Sequence, residues 1–397
     1  MIRKGVSMLG ARMVRNGTNL LSELRGVFGP AWLVMMADVD AASIITAMQS
    51  GAEFKYGFVL VLLLLILPLY FIQEVAGRVG AVTGKGLGEL IRENFSRRTA
   101  ALMSLPMAIT DLLSYVAEYA GIAIAASILG ISPLIAIPVV YVAHILFVYR
   151  RDHGAIERTL LVMSMLMLVA YMGLMGDGIS SYPLMPIGIG SRFFYLLAAN
   201  VGAVIMPFML FYQTTATAKK KFRSVRATKI ETFTGAVFGE IIMIAIVMVS
   251  SGLGHGTGFS TMQGIAEGIR GIGGTYAPVI FSAGLVLAGF LALVVISMAS
   301  AWGVTEALNM KRDTWFKIYV LESLPAALVP LLFTNLISLV IGLMVLLVFV
   351  LIGPVVTLGI LAQREDIMGG HRLSRFDRIA FWGSAVAILL CGIAALL

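Results

Sequence analysis

Long uninterrupted apolar runs, YGFVLVLLLLILPLYFI at 56–72 and a second across 336–363 among them, constrain this chain more than any other feature. A bilayer-spanning helix needs about 20 such residues, because inside hydrocarbon every backbone N–H and C=O has to be bonded within its own segment. Reading the chain for runs of that length gives eleven candidates, at about 28–49, 56–80, 99–129, 132–149, 157–176, 193–217, 231–252, 277–308, 315–334, 336–362 and 379–397. Only 13% of the residues are charged and the mean hydropathy is +0.96, which excludes an ordinary soluble domain. The expected fold class is therefore an all-α membrane protein of eleven transmembrane helices. Residues 1–27 read as a cytoplasmic tail and 28–397 as a single transmembrane domain. The basic residues of the tail precede no small-residue cleavage site, so no signal peptide is expected.

The basic residues set the expected topology. With the N-terminus inside, all but three of the 29 lysines and arginines (Lys55, Arg192 and Arg270) fall at the cytoplasmic side. Cytoplasmic loops collect Lys and Arg, so an odd number of spans with the C-terminus outside follows, as in a multi-pass plasma-membrane protein. The runs KKKFR (219–223) and RRD (150–152) are then topology determinants, and the net charge of +8 reflects a bilayer and not a nucleic-acid partner. The longest polar interval, 253–276, reads as a Gly-rich external loop. A single cysteine, Cys391, excludes a disulfide framework, a cysteine-based zinc site and an iron–sulfur cluster. No HExxH, Walker loop or Ser/His/Asp set is present, so the chain reads as neither an enzyme nor the holder of a cofactor.

Two spans look interrupted. ADVDAAS (37–43) breaks the first and puts Asp38 and Asp40 near mid-depth; NVGAVIMPF (200–208) breaks the sixth, where Pro207 removes a backbone hydrogen bond. Spans 1 and 6 are five apart. A repeat of five spans gives two halves of opposite orientation, 28–176 and 193–362, with 379–397 as an extra helix, and transporters of that design bind their substrate where the first helix of each half unwinds. A carboxylate at the bilayer centre costs about 2.5–3.5 kcal/mol on insertion scales and is kept for a cation, a proton or a partner. Carbonyls freed at 37–41 and 202–205 would add hard oxygen ligands, and the thioether of Met206 a soft one that selects transition metals. A carboxylate that merely caps a half-helix is the plainer reading of either aspartate, and random core packing that of Met206.

Further acidic residues lie within spans: Glu74, Asp111, Glu118, Glu240 and Glu306. Glu74 stands four residues before Arg78, the spacing of a helical ion pair. Glu306, beside Lys311, reads as a solvated position at a span end. Glu118 and Glu240 lie deeper, with no lysine or arginine deep in their spans, and are the candidates for a proton route. His144, the one intramembrane histidine, reads as a satisfied packing residue.

These residues resemble the Nramp family of divalent-metal transporters. GPAWLVMMADVDAASIITAMQSGAEFKYG (29–57) is similar to that family's first helix, where an Asp-Pro-Gly-Asn motif follows a glycine-proline start and precedes Gln-x-Gly-Ala. IQEVAGRVGAVTGKGLGEL (72–90) resembles its second helix and following loop, GAVIMPFMLFYQ (202–213) its sixth-helix Met-Pro-His segment, and 288–308 its eighth helix. The resemblance implies an inverted repeat of 5+5 helices plus one, the LeuT-like fold shared with amino-acid transporters. It also implies that Asp40 is the metal-binding aspartate, that Ala203 contributes a carbonyl and Met206 a thioether, and that Glu118 belongs to a proton route. The chain departs from the family at Ala41, Ala42 and Ser43, which replace Pro-Gly-Asn and leave only a hydroxyl. Phe208 and Gln213 stand for two histidines, Tyr115 for a proton-route aspartate, and no glutamine precedes Pro354. Asp38, Gln213 and the TGKGL loop look more like a divergent branch that includes magnesium transporters.

The functional expectation is a secondary transporter of divalent cations, Mn²⁺ first and Mg²⁺ next. Its site would comprise Asp40, Ser43, Ala203, Met206, Asp38 and the Ala37 carbonyl, with protons as the candidate coupling ion and proton dependence expected to be weak. The alternative on the same fold is a proton-coupled carrier of a small organic solute.

Overall fold

A computed structural model describes residues 29–150, 188–220, 224–253, 261–311 and 314–397, with 156, 159–160, 162–163, 166 and 183–184 between the first two stretches. Among these residues there is helix and no strand. The first span is two helices, α1 (Pro30–Asp38) and α2 (Ala41–Phe54), bent by 48° at Val39 and Asp40. Then follow α3 (Gly57–Thr83), the short α4 (Leu87–Asn94), α5 (Arg97–Ile128) and α6 (Pro133–Arg150). The sixth candidate span is again a pair, α7 (Ser191–Val204) and α8 (Pro207–Ala218). Beyond it come α9 (Val225–Ser250), α10 (Met262–Gly273), α11 (Ala277–Ala307), α12 (Trp315–Leu328), α13 (Leu336–Gln363) and α14 (Arg375–Ala394).

Eight of the described helical segments are long and apolar enough to cross a membrane, nine when α1 and α2 are taken as one span, and Pro133–Tyr149 is a shorter apolar helix. The candidate span at 157–176 and the tail 1–27 lie largely or wholly outside the described residues. Leucines turned outward, such as Leu64, Leu134 and Leu321, form the lipid-facing surface, while the broken spans are buried over most of their length.

The polar interval 253–276 is not simply a loop. Thr261 accepts the Gly264 N–H at 3.1 Å and starts α10, whose Ile265, Ala266 and Ile269 are buried on one face, the three-to-four-residue period of an amphipathic helix.

Small residues let the broken spans approach their neighbours. A Cβ on Gly202 of α7 would lie 1.9 Å from the Met344 carbonyl of α13, and one on Gly121 of α5 would lie 2.5 Å from the Ala41 side chain at the start of α2. Both glycines are thus close-approach positions between spans. α5 packs against α11, α13 and α2, so it runs beside both breaks.

Candidate functional site

The local chemistry of each break decides which backbone groups it releases. In an unbroken helix the Ala37 carbonyl would accept the Ala41 N–H, but that N–H donates instead to Glu118 Oε2 at 3.1 Å. At the second break the Ala203 carbonyl would need an N–H at position 207, which is proline and has none. The Gly202 carbonyl loses its helical partner too, because the Met206 N–H points to Met209 Sδ at 3.3 Å. Three carbonyls are therefore released from helical bonding, and Ala203 O accepts the Ser43 hydroxyl at 3.1 Å. That bond joins the two breaks directly.

Asp40 is the N-cap of α2. Its Oδ1 accepts the Ser43 N–H at 2.7 Å, the capping role that the sequence offered as the plainer alternative, but Oδ2 has no hydrogen-bond partner and the side chain is fully buried. Capping uses one oxygen and leaves the other for a ligand, so the two roles coexist. The Glu118 carboxyl meets that of Asp40 as well as the Ala41 amide. One turn earlier on the same face of α5, Ser114 Oγ lies 4.0 Å from Met206 Sδ. The structure thus brings Asp40, Ser43, Ala203 and Met206 to one place, with Ser114 and Glu118 as the wall contributed by α5. Ser114 was missed in the sequence, although its i, i+4 spacing to Glu118 was there to be read.

Asp38 ends α1 and is 7% exposed, whereas Asp40, Ser43, Ala203 and Met206 are fully buried. One Asp38 oxygen, Oδ1, is unpartnered, and its electrostatic neighbours are Asp40 and Glu240 of α9, whose Oε2 is unpartnered too. Among the described residues no ion pair reaches Asp38, Asp40, Glu118 or Glu240. Four buried carboxyl groups without a base call for cations, whether metal ions or protons, to balance them. Among the described residues no three His, Cys, Asp or Glu side chains converge tightly enough to hold a metal ion by themselves. Any metal here would draw on the hydroxyl, carbonyl and thioether groups as well.

Of the other singled-out residues, Asp111 is buried with neither oxygen hydrogen-bonded, and the following are engaged by neighbours. Gln213 Nε2 donates to Thr232 at 2.8 Å, and Tyr115 donates to Ser297 at 2.9 Å. His144 bonds Tyr119 through Nδ1 and Ser297 through Nε2, as a packing histidine does. Glu74 and Arg78 form the i, i+4 pair, joined by Asp377 and Lys229. Glu306 is not simply solvated, for it lies against Thr215 and packs towards Lys219 and Arg92.

The two ends of the bundle differ. Beside Gln49, Arg192, Tyr195, Asn335 and Ser338 a cavity of about 800 Å³ opens where α2 ends and α7 and α13 begin. At the opposite end Glu231 of α9 accepts the Ala31 N–H at 3.0 Å and pairs with Lys220 at 2.7 Å, which pins the start of α1.

The family model described as natural resistance-associated macrophage protein-like matches residues 31–397. The chain belongs to the Nramp family. Among its relatives is a divalent metal cation transporter, MntH, of Klebsiella pneumoniae strain 342, 26% identical over 375 residues, 90% of each chain. The manganese transporter of Eremococcus coleocola, solved with an aromatic bis-isothiourea compound, superposes with a TM-score of 0.79 at 17% identity, over 94% of this chain and 86% of that one. MhsT in complex with L-phenylalanine gives 0.62 at 12% identity, over 93% and 98%. At these identities the two structures speak for the fold alone.

Proposed function

We propose that this Nramp protein carries a divalent metal ion across the plasma membrane through a site between its two breaks, with Mn²⁺ preferred and Mg²⁺ next. The observation that carries the reading is the pairing of an unpartnered, buried Asp40 oxygen with the released Ala203 carbonyl across the Ser43 bridge, beside the Met206 thioether. Asp40 supplies charge, which offsets the cost of stripping water from the ion. Ser43 gives its hydrogen to Ala203 and keeps its lone pairs for the metal, while the carbonyls of Ala203 and Ala37 add neutral oxygen. Met206 supplies the soft contact that favours Mn²⁺ or Cd²⁺ over Mg²⁺. Asp38, the least buried member, holds part of the ion's water. Relatives whose names describe divalent-metal and manganese transport support the same substrate class.

The transport cycle follows from the asymmetry of the two ends. Eleven spans in a 5+5 repeat with the N-terminus inside put the 800 Å³ cavity outside and the Glu231–Lys220 latch at the cytoplasmic face. Release inward then requires the start of α1 to leave Glu231, with Glu118 and Glu240 as the carboxyl groups able to exchange protons with the site. The test is uptake of Mn²⁺, Cd²⁺, Mg²⁺ and a small carboxylate into proteoliposomes. Met206→Ala should depress Mn²⁺ and Cd²⁺ uptake while sparing Mg²⁺. An unmodified protein that moves the carboxylate and no divalent ion would replace the metal reading with the organic-solute carrier.

A further inference from the structure

Two turns before Glu118 along α5, on the helix face that also carries Ser114, stands a carboxyl group that pairs with a second one on α12, and the metal site uses neither. Asp111 of α5 is fully buried, and neither of its oxygens has a hydrogen-bond partner. Glu322 of α12, half-buried, is its electrostatic neighbour. Between them stands Ser300 of α11, whose hydroxyl donates to Glu322 Oε2 at 2.5 Å. Asp111 comes within reach of the same hydroxyl. A serine has one hydrogen, and here Glu322 takes it, so Asp111 faces only the oxygen lone pairs of Ser300. Two carboxylates and a hydroxyl oxygen turned toward one another repel unless something positive sits among them.

Among the described residues no basic group supplies that charge: no lysine, arginine or histidine forms an ion pair with Asp111 or Glu322. Of the titratable groups around the pair, Tyr115 on α5 neighbours both carboxyl groups, His144 of α6 packs against Tyr115 and Tyr319 of α12, and Tyr141 of α6 lies by Tyr319. α11 contributes only Ser297 and Ser300 here, and α13 carries no charged residue between 336 and 363. Tyr319, one turn from Glu322, is itself buried with an unpartnered hydroxyl. We propose that Asp111, Ser300 and Glu322 form a monovalent-cation site, taking a proton or an alkali ion, separate from the metal site at Asp40.

The donor set fits a monovalent ion better than a divalent one. Their two charges would match a divalent ion, but two carboxyl groups and a hydroxyl are too few oxygens to replace the six to eight around one, whereas a shared proton needs only two. In contrast to Asp40 and Glu118, whose carboxyl groups meet directly, this pair has a hydroxyl between its members. Half-buried Glu322 is the side from which the ion arrives. Seven residues separate Asp111 from Glu118 on α5, about 10 Å along the helix at 1.5 Å per residue, so the two sites are distinct yet share one rigid element. Use of the site in coupling rests on the metal-transport reading; occupancy does not.

Infrared difference spectroscopy of the purified full chain in lipid, with divalent ions chelated, reads carboxyl groups directly. One arm exchanges choline chloride for sodium chloride at fixed pH, and the other steps the pH in choline chloride. A saturable carboxyl signal is expected in one arm, identifying alkali ion or proton, and should vanish in Asp111→Asn and in Glu322→Gln while persisting in Asp40→Asn. Ser300→Ala keeps both carboxyl groups and should move the midpoint of that signal by about tenfold or more, the worth of one hydrogen bond to a charged group. Absence of any carboxyl signal in both arms, or a signal unchanged in Asp111→Asn and Ser300→Ala, overturns the proposal. Calorimetric Mn²⁺ binding by the same samples reports the other site: its absence from the unmodified protein would defeat the metal reading and leave the infrared result standing.

Discussion

Asp40 has two functions that a pair of substitutions separates. Its Oδ1 caps α2 through the Ser43 N–H, and its Oδ2 is free. Asparagine caps as well as aspartate and can donate its amide to the Glu118 carboxyl that already meets this side chain, so Asp40→Asn should keep the break intact and change thermal stability little. Asp40→Ala removes the cap and strands the Ser43 N–H inside the bundle, at a cost of about 1–3 kcal/mol. Both substitutions remove the charge. At an effective dielectric near 20, a unit charge about 4 Å from a doubly charged ion contributes about 8 kcal/mol before the costs of dehydration are subtracted. If only about 3 kcal/mol of that survives dehydration, the dissociation constant rises by roughly 100-fold. Calorimetry of Mn²⁺ binding, alongside thermal unfolding of each variant in detergent, should find binding lost in both and stability lost in the alanine variant only. Mn²⁺ binding by Asp40→Asn within tenfold of the unmodified protein would mean that Asp40 is a helix cap and nothing more.

Two other expectations concern the ends of the bundle. Glu231→Ala removes both the acceptor of the Ala31 N–H and the partner of Lys220, so a cysteine introduced as Ala31→Cys should react with a soluble maleimide at least several-fold faster in that background; an unchanged rate would mean the contact is no latch. For topology, Gly264→Cys in α10 should label from outside in intact cells and Lys229→Cys in α9 only after permeabilisation; the reverse pattern would invert the assignment of the cavity to the outer face.

What the sequence alone determined is local to each span. Apolar runs of bilayer length prescribe helices, and both breaks were legible: Pro207 has no N–H to offer the carbonyl four residues back, and two carboxylates in a short apolar segment oppose an unbroken helix between them. The helix-to-helix spacing of Glu74 and Arg78 was equally readable, because an i, i+4 pair is fixed by one helix's own geometry. The same period marks α10, whose buried Ile265 and Ile269 a reading for glycine content passed over. Tertiary structure decided everything that crosses between spans. That Ser43 finds Ala203, Glu118 the Ala41 amide, Ser114 the Met206 sulfur, Glu231 the start of α1 and Asp111 the hydroxyl shared with Glu322 depends on how each helix is rotated and crossed. Those angles are set by close approaches such as Gly202 on Met344 and Gly121 on Ala41, contacts between positions far apart in the chain that no pattern within one span encodes.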